Sequence, residues 1–144
     1  MKRSLLFLII FVVVGIAVWY AYTEYNRTNP NLSETKPAAV VSTTALLNAF
    51  EKDSSNAAKQ YNDKIIIVSG AVKKIEADGN PVVISLGDAG QLSSVQCSMD
   101  STNADRYALL KKGATATIKG QVTGFRTDPL FGTDVILNRC VVAQ

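Results

Sequence analysis

Residues Leu5 to Tyr22 carry no charged side chain and follow directly on Met1-Lys2-Arg3-Ser4. As a helix rising about 1.5 Å per residue, this run is about 27 Å long, close to the roughly 30 Å hydrocarbon core of a bilayer. The pattern predicts a transmembrane signal anchor over residues 1–22. A cleaved signal peptide has a shorter apolar core and small residues at its exit, whereas this run leaves through Val18-Trp19-Tyr20-Ala21-Tyr22, aromatics suited to the membrane–water interface. With Lys2 and Arg3 ahead of the run, the N-terminus is expected in the cytoplasm and the rest of the chain outside.

Residues 23–41 alternate Asn, Pro, Thr, Ser, Glu and Lys with little apolar periodicity, the composition of a flexible tether. From Ser42 the spacing changes. Ser42 to Thr44 can cap a helix with Leu46, Leu47 and Phe50 on one face, and Asp53-Ser54-Ser55 opens a second turn through Ala57, Ala58 and Tyr61. A β-branched stretch then runs from Lys64 to Glu76 with Gly70 inside it, followed by Asp78-Gly79 as a hairpin turn. Val82 to Leu86 and Ser94 to Met99 read as the second and third strands. Asp105 to Lys112 reads as a helix stopped by Gly113, and Ala114 to Phe125 and Asp134 to Val142 as the fourth and fifth strands.

Three strands, a helix, then two strands is the order of a five-stranded OB-fold-like Greek-key barrel, here mainly β over residues 42–144 with an N-terminal helical extension. A strand that curls to reach two neighbours needs a bend, and Gly70 and Gly120 stand where the first and fourth strands would curve. An immunoglobulin-like sandwich would need about seven strands and no inserted helix.

Asn56-Ala57-Ala58-Lys59-Gln60-Tyr61, Val68-Ser69-Gly70-Ala71-Val72, Val95-Gln96-Cys97, Leu110-Lys111-Lys112-Gly113, Thr117-Ile118-Lys119-Gly120, Thr123-Gly124-Phe125 and Asp134 to Cys140 follow one another in an order that resembles the bacterial tRNA_anti-like family. The resemblance covers about residues 45 to 142. It implies an OB-fold and assigns no activity, cofactor or binding residue.

Charge limits the function further. The full chain holds 15 basic and 12 acidic residues; without Lys2 and Arg3 the remainder is 13 against 12, a net +1. Nucleic-acid binders carry a clear basic excess, because phosphate neutralisation dominates their affinity. The chain has no histidine, the commonest general base and transition-metal ligand.

The predicted second and third strands, Val82 to Met99, contain no aromatic and no basic residue, although OB-folds that hold single strands stack bases there. Phe131, in the loop expected between the last two strands, is the aromatic best placed for a ligand. With Arg126 and the Ala77 to Pro81 turn it forms the candidate contact patch; the plainer reading is a solvated loop. Tyr107 and Phe125 are expected in the core.

Cys97 and Cys140 fall on strands that neighbour each other in an OB barrel. A disulfide, worth about 3 to 4 kcal/mol by loop entropy, and two buried thiols are both open. No C-x-x-C, G-x-S-x-G, H-E-x-x-H or phosphate-binding loop occurs, so no catalytic residue, cofactor or metal site is assigned. Asp128 and Asp134 flank a turn and read as turn-capping groups more than a carboxylate pair. Lys73-Lys74 and Lys111-Lys112 read as solvated surface.

The sequence thus predicts a non-enzymatic binding or interaction module on the outer side of a bacterial cytoplasmic membrane, held by a single span, with an envelope protein or a saccharide as partner. A nucleic-acid-binding OB domain and an envelope redox or hydrolase accessory protein are the alternatives.

Overall fold

The computed structural model describes residues 2–25, 32, 34–101 and 104–143, with residues 2–11 and 24 described by backbone alone. The chain divides into two units, Met1–Pro30 and Asn31–Gln144.

The first unit is one helix, α1 (Lys2–Tyr25). Its described apolar side chains, among them Val12, Ile16, Val18 and Trp19, are exposed. Among the described residues no helix is long and apolar enough to cross a membrane. The side chains of Leu5 to Phe11, the first part of the expected span, lie outside the described residues.

The second unit opens with β1 (Ala39–Ser42), then α2 (Thr43–Lys52), α3 (Ser54–Tyr61), β2 (Ile65–Glu76), β3 (Val83–Leu86), β4 (Ser94–Met99), α4 (Ala104–Tyr107), β5 (Thr115–Asp128) and β6 (Gly132–Val142). Strands β2 to β6 close a barrel in the order β2-β3-β4-β6-β5, with β5 returning to β2. All neighbours are antiparallel except β4 and β6. This is the expected OB-like barrel.

Ser42 Oγ accepts from Ala45 N at 3.2 Å and Asp53 Oδ1 from Asn56 N at 3.0 Å, the two helix caps that the sequence signals. Helix α2 buries Leu46, Leu47 and Phe50, and α3 buries Ala57 and Tyr61. These join Ile66, Val68, Ile84, Leu86, Val95, Ile118, Val122, Val135 and Leu137 in one core. Phe50 meets Phe125 at a ring separation of 5.1 Å, so Phe125 packs as expected, and Tyr107 is half-buried against the same core.

The tether is shorter than expected. Ala39 to Ser42 pair in parallel with Ile66 to Ser69, Leu32 is buried, and the Lys119 ammonium donates to the Thr35 carbonyl. The Ala-Val-Val-Ser run has the β-branched content to join a sheet edge.

The inserted helix is a single turn, not the eight residues expected. Leu109 is exposed and only Tyr107 and Leu110 reach the core, three positions apart, a spacing one turn satisfies. Gly113, at φ +85°, closes the segment by donating to Val72 O at 2.8 Å.

Strands β5 and β6 run further than expected, leaving three residues, 129–131, between them. Asp128 Oδ1 accepts from Leu130 N at 2.8 Å and from Phe131 N at 3.2 Å, and Gly132 takes φ +82°. Asp, Pro and Gly at these positions make a tight turn.

Strand β2 passes from β5 to β3 between Ala71 and Val72, beside Gly70, and the β5–β6 register shifts between Lys119 and Gln121, at Gly120. The ladder is interrupted at Val72/Lys74, at Val122/Gly124 and around Arg139, and Arg139 sits at φ 56°. Gly70 is required by a close approach: a Cβ there would stand 2.1 Å from Thr43 Oγ1.

Candidate ligand face

The outward residues of β3 and β4 alternate with the core set. Ser85 stands opposite Gln96, and Val83 opposite Ser98, while Ile84, Leu86, Val95 and Cys97 point in. The period of two that fills the barrel also sets out a polar floor.

Over one end of this floor lies a cleft of about 460 Å3, walled by Lys73 and Lys74 of β2, the loop carrying Gln91 and Leu92, Phe131 and Asp134, with Ser85, Ser94 and Gln96 beneath. Asp134 is its centre. Ser94 Oγ donates to Asp134 Oδ1 at 2.7 Å and Gln96 Nε2 to Oδ2 at 2.9 Å, and the Arg126 guanidinium lies 3.6 Å from Oδ2. Arg126 faces Asp134 across β5 and β6, which explains the ion pair.

The cleft is built on fixed loops. The Lys73 ammonium donates to the carbonyls of Gln91, of Leu92 at 3.1 Å and of Ser93 at 3.4 Å. Ser93 Oγ donates to Glu51 Oε1 at 2.5 Å and accepts from Thr133 N at 3.0 Å. A Cβ on Gly132 would stand 2.8 Å from Ser93 N, so the two loops are packed against each other. Lys73 is therefore a loop clamp and not the solvated lysine expected, because the interruption beside it sets it apart from Lys74. Lys74 pairs with Glu76.

Phe131 is 70% exposed, beside Leu92 at 65% and one residue from Leu130 at 76%. The structure brings Phe131 to the cleft of Asp134, and Arg126 to Asp134 itself. The Ala77 to Pro81 turn does not wall that cleft. It borders two other cavities, one of about 460 Å3 reached past Lys74 and Glu76, and one of about 430 Å3 shared with Ser98, Asn138 and Arg139. Asp128 caps the turn, as expected, whereas Asp134 serves Ser94, Gln96 and Arg126. Ser94, Gln96 and Asp134 were not read from the sequence as site residues; their outward positions on the two strands were the available signal.

Cys97 and Cys140 are free thiols with no exposed surface. Burial, and next the Cys97 thiol hydrogen-bonded to it, push the Cys140 thiol well above its ordinary range. Cys97 is level with Leu137, and Cys140 with Met99. Among the described residues no group of three or more His, Cys, Asp or Glu side chains could hold a metal.

The model of the tRNA_anti-like family matches residues 1–141. Among solved structures, one described as a "putative nucleic acid-binding lipoprotein" from Klebsiella pneumoniae superposes with a TM-score of 0.56 at 20% identity, over 72% of this chain and 91% of that one. This likeness is one of fold. The asparaginyl-tRNA synthetase of Entamoeba histolytica reaches 0.39 at 15% identity, over 56% of this chain and 21% of that one. OBody NL8, bound to hen egg-white lysozyme, reaches 0.40 at 15%, over 56% and 94%. No curated protein sequence matches the chain.

Proposed function

The chain belongs to the tRNA_anti-like family, and on that premise we propose that it is a membrane-anchored binding module without catalytic activity. In this reading residues 1–22 cross the cytoplasmic membrane with the N-terminus inside, and the barrel holds a protein or saccharide of the envelope on the outer side. The apolar run from Leu5 to Tyr22 and the unbroken helix Lys2–Tyr25 support the anchor.

The observation that carries the choice of partner is the Asp134 carboxylate at the centre of the cleft. Single-stranded nucleic acid needs a positive groove and aromatic platforms. Here the strands of the face offer Ser85, Ser94, Gln96 and Ser98, Lys73 is spent on three carbonyls, and Lys74 is matched by Glu76. The Klebsiella protein of similar fold is described as nucleic acid-binding, which favours the nucleic-acid reading, so that reading is tested directly.

The full-length chain in lipid nanodiscs is titrated with fluorescent single-stranded RNA and DNA at low salt. The expected outcome is no binding below about 10 μM; tighter binding that weakens steeply with added salt overturns the proposal. In parallel, a photo-crosslinker at position 131 in living cells is expected to capture an envelope component.

A further inference from the structure

The cleft around Asp134 distinguishes between the two partner classes, and this step rests on the binding-module reading above. Each charge at the cleft already faces a counterpart: Lys74 with Glu76, Arg126 with Asp134, and the Lys73 ammonium with backbone carbonyls. An ionic ligand would have to displace one of these contacts. An apolar ligand would cover the Ser85 hydroxyl and the Gln96 amide oxygen without offering either a partner, which is costly in a cavity.

What fits is a neutral molecule with hydroxyl donors on one side and an apolar face on the other. The two Asp134 oxygens accept one hydrogen bond each from Ser94 and Gln96. A carboxylate has about four acceptor positions, and with the Arg126 guanidinium 3.6 Å from Oδ2 it is Oδ1 that can take a further donor. The same two bonds fix the carboxylate plane, so a hydroxyl meets it in an orientation already set. Phe131, exposed at the rim, offers a flat apolar surface. The walls do not have to form on binding, since Lys73 and Ser93 hold the loop in place.

We propose that this cleft is a saccharide site, in which Asp134 accepts a hydrogen from a hydroxyl of a neutral sugar ring whose C–H face rests on Phe131, with the Gln96 amide completing the polar contacts. The linkage and ring substituents are read by the residues around this pair.

The test is calorimetric titration of the full-length chain in nanodiscs with cellotetraose, chitotetraose and maltotetraose, neutral chains that differ in linkage and N-acetylation. At least one is expected to bind saturably. Phe131→Ala should weaken it about tenfold or more without moving the thermal unfolding transition, because the ring is exposed; Phe131→Trp should keep it. Asp134→Asn, which preserves shape while removing the charge, should also weaken it about tenfold. The proposal is overturned if none of the three binds at about 10 mM, or if binding ignores Phe131→Ala. Should no sugar bind while the crosslinker at position 131 still captures an envelope protein, the saccharide site falls and the binding module stands. Tight salt-dependent RNA binding removes both.

Discussion

A Cβ built on Gly70 would stand 2.1 Å from Thr43 Oγ1 and 2.8 Å from Thr43 Cβ, and one on Gly120 would stand 2.5 Å from Cys140 Sγ and 3.2 Å from Leu137 Cβ. Both glycines admit a neighbour into a packed barrel. Gly70→Ala is expected to cost about 1 to 3 kcal/mol, the range for overfilling a core. Thr43→Ala in the same chain should recover part of that loss, since it removes the nearest atom. Denaturant unfolding of the full-length variants measures both, and unchanged stability in Gly70→Ala would show that the approach is not as close as drawn. The two glycines were visible in the sequence as places where strands bend, but the neighbour that each admits was not. A glycine inside a β-branched run reads the same whether the strand bends there or a side chain rests on it. The thiols are a similar case: the neighbouring strands were legible, whereas the choice between a bond and two free thiols was not.

At the scale of elements, the strand interruptions were the hidden part. Strands β2, β3 and β4 and both caps follow from β-branched runs and Ser or Asp at the helix starts. Nothing in Asn138-Arg139-Cys140 announces that Arg139 leaves the ladder, yet its φ of 56° places it where glycine is at ease. Comparing Arg139→Gly with Arg139→Ala isolates this backbone cost, because both remove the same side chain. The glycine variant should be the more stable by about 1 kcal/mol. Equal stabilities would mean that the bulge carries no strain. The turn after β5 was legible in principle. Asp128-Pro129 with Gly132 beyond is turn chemistry, and it shortens the expected loop to three residues and brings Phe131 to the cleft that Leu92 also lines.

The whole molecule joins an apolar N-terminal run to a barrel whose cleft pairs Lys74 with Glu76 and Arg126 with Asp134, and the second feature bears on what the first is for. A domain with a basic, aromatic face would belong with nucleic acid; this one has a carboxylate at its centre. Composition already leaned that way, with 13 basic against 12 acidic residues outside Lys2 and Arg3. The cleft itself needed the fold, because Lys73, Gln96 and the Phe131 to Asp134 segment are far apart in sequence and meet only when β6 pairs with β4.

The central claim, that this face works outside the cytoplasmic membrane, is open to one direct measurement. Cys97 and Cys140 have no exposed surface, so Phe131→Cys introduces the one thiol that a reagent can reach among the described residues. A membrane-impermeant maleimide is applied to cells whose outer envelope is permeabilised and whose cytoplasmic membrane is sealed. The account predicts that position 131 is labelled before lysis; labelling only after lysis would contradict it.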